Sequence, residues 1–119
     1  MAESVMLEKA KDLAVEIIEL CKTVKYEKKE SVITNQLLRS GTSVGANIHE
    51  SKYGHGTADF IAKMQIALKE CYESEYWLEL LYRTSYIDEL TYKQVTNHCG
   101  AVRRMLISSI NTVKKNAEK

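Results

Sequence analysis

The chain of 119 residues contains 45% hydrophobic and 28% charged residues, no Pro and five Gly. Its 17 Lys+Arg against 16 Asp+Glu give a formal net charge of +1. This length predicts a single domain, 1–119, and the mixture of apolar and charged residues excludes intrinsic disorder. The lack of Pro argues against a sandwich or barrel with many turns, and the balanced charge argues against binding of nucleic acid by the whole surface.

The first predicted helix spans about 4–25, where apolar residues recur at spacings of four and three. This stripe consists of Met6, Ala10, Leu13, Ile17, Leu20 and Val24. Residues 26–30 (YEKKE) are either a polar connector or a continuation of that helix. The second predicted helix spans about 31–53, and its apolar face carries Ile33, Leu37, Val44 and Ile48. Gly destabilises a helix by about 1 kcal/mol relative to Ala. Two glycines within one helix, Gly41 and Gly45, therefore predict that another backbone approaches this part of the helix closely.

The segment Gly54-His55-Gly56 ends the second helix. The third predicted helix spans about 57–83 with Thr57 as its N-cap, and the fourth spans about 88–116 with Asp88 as its N-cap. The third helix has its apolar stripe at Phe60, Met64, Ala67, Cys71, Leu78 and Tyr82, and the fourth at Val95, Cys99, Val102, Leu106 and Val113. Four such helices with short connectors predict an all-α fold, an antiparallel up-down-up-down four-helix bundle about 35–40 Å long.

The second helix also carries a polar stripe, about 90–100° around from its apolar face. The stripe consists of Gln36, Ser40, Ser43, Asn47 and Glu50, with Arg39 at its margin. It is a solvated surface, a polar seam packed against another helix, or a ligand pocket. The packed seam is favoured, because small side chains allow close approach and inward charges need partners.

The third helix offers a complementary face, formed by Lys63, Ile66, Glu70, Glu73, Trp77 and Leu80. Either Glu70 or Glu73 is available to pair with Arg39. Because this helix is then apolar on two sides, the same face predicts burial against a second subunit.

Residues 37–50 (LLRSGTSVGANIHE) resemble the signature R-S-x-x-S-x-x-x-N-I-x-E of one bacterial family. Its members are the four-helix-bundle proteins encoded in intervening sequences of 23S ribosomal RNA genes, and their stand-alone relatives. Residues 59–78 resemble the third helix of that family. The resemblance implies an antiparallel bundle that assembles as a homopentamer, and it brings no catalytic assignment.

Relatives in that family include the accessory variability determinant of diversity-generating retroelements, a basic pentamer that binds nucleic acid and a reverse transcriptase. The family-motif positions of this chain are Arg39, Ser40, Ser43, Asn47, Glu50, Glu70 and Glu73, with Trp77 beside them. We interpret all of them as structural or interface residues. His49 occupies a position where the family usually has Ala or Glu.

Motifs for catalysis or metal binding are absent from the sequence. A di-iron bundle needs Glu-x-x-His on two helices, and the only such pairs here are Glu-x-x-Glu. The sequence contains no P-loop, dinucleotide fingerprint, zinc-protease motif or nucleophile elbow. We therefore predict no enzyme, no cofactor and no metal site. Cys21, Cys71 and Cys99 are expected to be buried free thiols.

The fourth helix is the candidate nucleic-acid-binding element. Residues 90–119 contain six basic groups and one acid, a local charge of +5. The candidate contact residues are Lys93, Arg103, Arg104, Lys114 and Lys115. Basic groups that alternate with Asn and Ser suit contacts to phosphates. The alternative is a solvated surface that complements the negative end of the helix, and the acidic remainder of the chain opposes nucleic-acid binding.

The sequence therefore predicts a non-enzymatic homo-oligomeric bundle that binds RNA or DNA through its fourth helix. One alternative is a protein-interaction scaffold that binds a protein partner and no nucleic acid. Another is an enzyme or small-molecule sensor that uses the polar seam. The N-terminal residues lack the pattern of a signal peptide, and no run approaches the ~18 apolar residues of a membrane span. We expect a cytoplasmic protein that does not bind membranes.

Overall fold

The computed structural model describes residues 2–118 and forms four α-helices, with no strand in that range. They are α1 (Ala2–Lys28), α2 (Val32–Ser51), α3 (Gly56–Arg83) and α4 (Glu89–Ala117). The prediction of an all-α four-helix bundle is confirmed. The Cα atoms extend over 52 × 22 × 20 Å. The bundle is longer than predicted because three of its helices have 27–29 residues, which is about 40–44 Å of helix.

The apolar stripes of the four helices meet in one core. Its largest fully buried apolar side chains are Met6, Leu13, Ile17, Leu37, Val44, Ile48, Met64, Leu78, Leu81, Val102 and Leu106. All four stripes shift from their predicted positions. In α2 Ile33 is only partly buried while Thr34 is buried, and in α3 Phe60 and Tyr82 are only partly buried while Leu81 is buried. α1 buries Cys21 while Leu20 is only partly buried, and α4 buries Ile110 while Val113 is only partly buried. A straight helix drifts by about 20° per heptad from a strict four-three spacing, so the buried stripe moves along a long helix.

Helix α2 packs against α1 at Gly41. A Cβ on Gly41 would lie 2.5 Å from Cδ1 of Ile17, whereas a Cβ on Gly45 would lie 3.6 Å from Cβ of Ala10. The close neighbour of Gly41 is thus the Ile17 side chain and not a backbone. A backbone lies near Gly45 instead, where the carbonyl carbon and oxygen of Ala10 would be 3.8 Å from an added Cβ, and this position leaves room for a methyl group. In the whole bundle α2 and α3 have the most extensive contact, and α1 and α4 have the least.

Helix α2 begins above the buried carboxylate of Glu30. This carboxylate accepts hydrogen bonds from the backbone N–H of Ile33 at 2.8 Å and of Thr34 at 2.9 Å. Burial alone would raise the pKa of Glu30, but these hydrogen bonds outweigh it and lower the pKa below its usual range. Glu30 therefore caps α2 as an anion.

Helices α3 and α4 begin in different ways. The predicted N-cap of α4 is confirmed, because Asp88 Oδ1 accepts the backbone N–H three residues later at 2.8 Å. The prediction that Thr57 caps α3 is wrong. This helix begins at Gly56, whose φ of +86° is accessible to Gly. Asp59 instead reaches back and accepts the backbone N–H of His55 at 3.0 Å.

Candidate functional site

Arg39 on α2 joins two carboxylates of α3. Its Nη1 donates to Glu70 Oε2 at 2.9 Å, and its Nη2 pairs with Glu73 Oε2. Trp77 Nε1 donates to the same oxygen of Glu73 at 3.0 Å. The side chain of Glu70 is 11% exposed and that of Arg39 is 52% exposed. The guanidinium therefore covers a nearly buried carboxylate and keeps its outer side in water.

Small polar side chains occupy the next positions of the α2 stripe. The hydroxyl oxygens of Ser40 and Ser74 are both buried and lie 2.8 Å apart, so one donates to the other across the two helices. Asn47 Nδ2 donates to the carbonyl oxygen of Ser43 at 2.9 Å and to its hydroxyl at 3.1 Å. Ser40 thus contributes to helix–helix packing, whereas Ser43 and Asn47 bond within α2.

The stripe ends in an ion pair between Glu50 on α2 and Lys63 on α3, with Oε1 and Nζ 3.1 Å apart. Every cross-helix bond of the stripe therefore joins α2 to α3 of the same chain. Burial of Glu70 needs no second subunit, because α2 already covers it. On the complementary face of α3, Ile66 remains exposed and Trp77 is partly buried.

Two surface grooves lie away from this polar seam. One of about 330 Å³ runs between α1 and α4, lined by Lys9, Asp12, Leu13, Glu16, His98 and Ala101. In it His98 Nδ1 lies 2.8 Å from Glu16 Oε1. Among residues 2–118 no cluster of three or more His, Cys, Asp and Glu side chains is placed to hold a metal ion. The same residues include no helix with the length and apolar character that crossing a lipid bilayer demands.

The three cysteines are buried and free of disulfides. Burial raises the pKa of the Cys21 thiol to about 11. A hydrogen bond with Cys71, together with burial, raises the pKa of the Cys99 thiol far above its usual range. A reactive cysteine needs an accessible thiolate. These thiols are therefore parts of the core.

Two of the five candidate basic residues on α4 are paired with carboxylates. Lys93 Nζ lies 2.7 Å from Glu89 Oε1 one turn earlier, and this hydrogen bond raises the pKa of Lys93. Arg103 Nε donates to Glu75 Oε2 on α3 at 2.8 Å, which raises the pKa of Arg103 in the same way. Both side chains stay charged, but a carboxylate already neutralises each of them.

The other three candidates, Arg104, Lys114 and Lys115, are exposed. None of them forms an ion pair with a carboxylate whose side chain the structure describes, that is, within residues 5–118. The guanidinium of Arg104 folds back over Gly100, and Nη1 lies 3.2 Å from the position that a Cβ on this glycine would take. These three side chains give the outward face of α4 its positive charge.

Three contact residues were missed by the sequence predictions. Ser74 bonds to Ser40, Glu75 neutralises Arg103, and the ring of Tyr72 lies 5.4 Å from the Arg103 guanidinium. All three lie on α3. Their sequence pattern resembles that of ordinary helix surface, and only the position of the neighbouring helix shows what each side chain contacts.

Comparison with known proteins defines the family. The family model described as 23S rRNA-intervening sequence protein matches residues 2–108. The chain belongs to this family. A similar solved structure is a crystal structure from Bacteroides thetaiotaomicron VPI-5482, described as a protein with unknown function from the S23 ribosomal protein family. It is 47% identical with a TM-score of 0.92, over 93% of this chain and 99% of that one. No curated protein matches the chain.

Membership of the 23S rRNA-intervening sequence protein family gives the polar seam its context. Of the residues that carried the resemblance, Arg39, Ser40 and Glu50 bond α2 to α3, whereas Ser43 and Asn47 bond within α2. The matched range ends at residue 108. Arg104 therefore lies within the range shared with the family, and Lys114 and Lys115 lie beyond it.

Proposed function

We propose that this chain is a non-enzymatic accessory protein of the cytoplasm, which assembles as a homopentamer of antiparallel bundles and binds RNA or DNA. The outward face of α4 would be the binding surface. The observation that carries the proposal is the set of exposed cations on this face, Arg104, Lys114 and Lys115, which have no carboxylate partner among the described side chains of residues 5–118. Phosphate groups are the ligands that such a surface suits.

The order of the contacts supports an up-down-up-down topology. Residues late in α2 contact residues early in α3, since Arg39 pairs with Glu70 while Glu50 pairs with Lys63. Between α3 and α4 the rings of Tyr82 and Tyr92 stack near the connecting turn, with centroids 4.6 Å apart. Short turns between successive helices favour the same antiparallel arrangement.

Self-association is supported by the family resemblance and by apolar side chains that the bundle leaves in water. Ile66 on α3 and Val15 on α1 are exposed, and Trp77 is only partly buried. A ring of five chains would repeat the cationic α4 face five times and strengthen binding to one polyanion. We expect light scattering to give about five times the chain mass of 13.6 kDa. A monomeric wild type would contradict the assembly.

The binding proposal is tested by fluorescence anisotropy with labelled RNA and DNA, at about 50 to 200 mM salt. Wild-type affinity should fall steeply with salt. The charge reversals Arg104→Glu and Lys115→Glu together should weaken binding at least about tenfold and flatten the salt dependence.

The matched control reverses two exposed lysines of α1, Lys11→Glu and Lys22→Glu, which causes the same change in net charge away from the α4 face. Circular dichroism verifies that both double variants fold. An α4 variant that binds like the wild type would refute the proposal. An equal loss in the control would show that overall charge, and not the α4 face, governs binding.

The alternative is a protein-interaction scaffold without nucleic-acid binding. The pairing of Lys93 with Glu89 and of Arg103 with Glu75 favours it, because it removes two of the five candidate cations. A scaffold would not be retained on heparin, and its association with a protein partner would tolerate salt. Heparin chromatography of the purified protein therefore separates the two functions.

A further inference from the structure

We infer that the nucleic acid is single-stranded and that two tyrosines of α3, beside the arginines of α4, form the surface on which its bases stack. This inference rests on the proposed nucleic-acid binding and names the form of nucleic acid that is bound. Tyr72 and Tyr76 lie one turn apart on α3, and they are 52% and 55% exposed.

Each of the two rings is held in place on one side. The Arg103 guanidinium lies 5.4 Å from the centroid of Tyr72, and Glu75 fixes that guanidinium by accepting from Nε at 2.8 Å. The ring of Tyr76 packs edge-on against Trp77, with centroids 5.0 Å apart and planes at 68°. About half of each tyrosine remains open to solvent. A ring held in this way loses little conformational entropy when a base stacks on it.

The charges around the two rings suit a phosphate backbone. Arg104 on α4 and Lys69 on α3 are exposed, and neither forms an ion pair with another described side chain of the segment 5–118. Two acidic neighbours on this part of α3 have a cation each, Glu75 with Arg103 and Glu79 with Arg83. Glu73 shares Arg39 with Glu70, so that cluster keeps one net negative charge. A strand that stacks on the tyrosines would thus meet the two cations Arg104 and Lys69 beside carboxylates that are all paired.

Aromatic rings distinguish single strands from duplexes for a physical reason. In a single strand each base has a face that can stack on an aromatic side chain, and each stacked base strengthens binding. In a duplex the faces are covered by neighbouring base pairs, and only base edges and the backbone are accessible. Exposed tyrosines beside a cationic helix therefore add affinity for single strands alone.

The experiment compares three probes by fluorescence anisotropy: an RNA strand of about 20 nucleotides, the DNA strand of the same sequence, and the duplex of that RNA with its complement. Wild-type protein should bind the single strands at least about tenfold more tightly than the duplex. Tyr72→Ala with Tyr76→Ala should weaken single-strand binding at least about tenfold and leave its salt dependence unchanged, because no charge is removed.

Two control variants separate stacking from other effects. Tyr72→Phe with Tyr76→Phe keeps both rings and should bind as the wild type does. Tyr53→Ala removes an exposed tyrosine from the turn between α2 and α3, away from Tyr72 and Tyr76, and should also bind normally. The comparison of probes uses wild-type protein, so it tests the inference even if the double alanine variant does not fold.

Equal affinity for single strands and duplex would overturn this inference, as would normal single-strand binding by a folded double alanine variant. The proposed function would survive either result if the Arg104→Glu and Lys115→Glu variant still lost affinity. Absence of binding to every probe by the wild type would overturn both.

Discussion

Arg39→Ala tests the bond between α2 and α3. Glu70 keeps its charge but loses its partner, and its side chain is only 11% exposed, so little water can replace the guanidinium. Removal of one member of a buried ion pair costs about 3–5 kcal/mol, and a hydrogen bond to a charged group contributes about 1.5–3 kcal/mol. Because Arg39 is itself half exposed, we expect a loss of about 2 kcal/mol, or about 6–10 °C in Tm.

The assay is urea unfolding followed by circular dichroism at a fixed protein concentration, since assembly makes stability depend on concentration. Arg83→Ala is the matched control. Its ion pair with Glu79 lies within α3, with the side chains 72% and 43% exposed. Such a surface pair stabilises by about 0.5 kcal/mol or less.

Glu70→Gln added to Arg39→Ala should recover part of the lost stability, because an amide needs no cationic partner. A double-mutant cycle should give a coupling of about 1–2 kcal/mol between Arg39 and Glu70. If Arg39→Ala destabilises no more than Arg83→Ala, water can hydrate the carboxylate of Glu70. Pairing with Arg39 would then not be what stabilises this carboxylate. Lack of recovery in the double variant would show that the loss is not electrostatic.

Three further predictions concern packing, capping and the thiols. Gly41→Ala should lower the unfolding free energy by about 1 kcal/mol, because the added methyl overlaps Ile17. Gly45→Ala should raise it by up to about 1 kcal/mol through helix propensity. Equal effects of the two variants in thermal unfolding would contradict the close approach of Ile17 to Gly41. Glu30→Gln should cost about 1 kcal/mol at neutral pH. The folded-state pKa of Glu30 is lowered, so the stabilisation from its capping is fully present above the ordinary pKa of about 4.3 and is lost as pH falls through the folded value. Glu30→Gln should therefore make stability depend less on pH in the acid range. Stability curves of the variant and the wild type that run parallel with pH would refute this. A disulfide reagent should label the three cysteines only in denaturant, and labelling of the native protein would show that the core opens.

The sequence predicted the fold because helical periodicity reports directly which face of a helix is buried. It also predicted that Glu70 or Glu73 pairs with Arg39, since a charge near a packed face needs an opposite charge on the facing helix. In the structure both carboxylates pair with Arg39. The start of α3 was predicted wrongly, because Thr57 is of a residue type that often caps helices. The positive φ at Gly56 places the first turn earlier, and Asp59 supplies the hydrogen bond from inside the helix.

The basic face of α4 shows where sequence patterns are insufficient. A count of charges treats Arg103 and Arg104 alike, yet Glu75 on α3 neutralises the first, and no carboxylate described in 5–118 pairs with the second. The contact of Tyr72 with Arg103 depends on the same packing of α3 against α4. Contacts between helices distant in sequence depend on rotation and axial register, which periodicity alone does not fix.

Nucleic-acid binding by the outward face of α4 is best tested by ultraviolet crosslinking of the wild-type protein to a single-stranded RNA. Mass spectrometry then identifies the crosslinked peptides. We predict crosslinks in the segment 70–83 of α3, which carries both exposed tyrosines, and in the segments of α4 on either side of Arg104. Crosslinks confined to α1 or α2, or no crosslinks above those of a non-binding control protein, would contradict nucleic-acid binding by the outward face of α4.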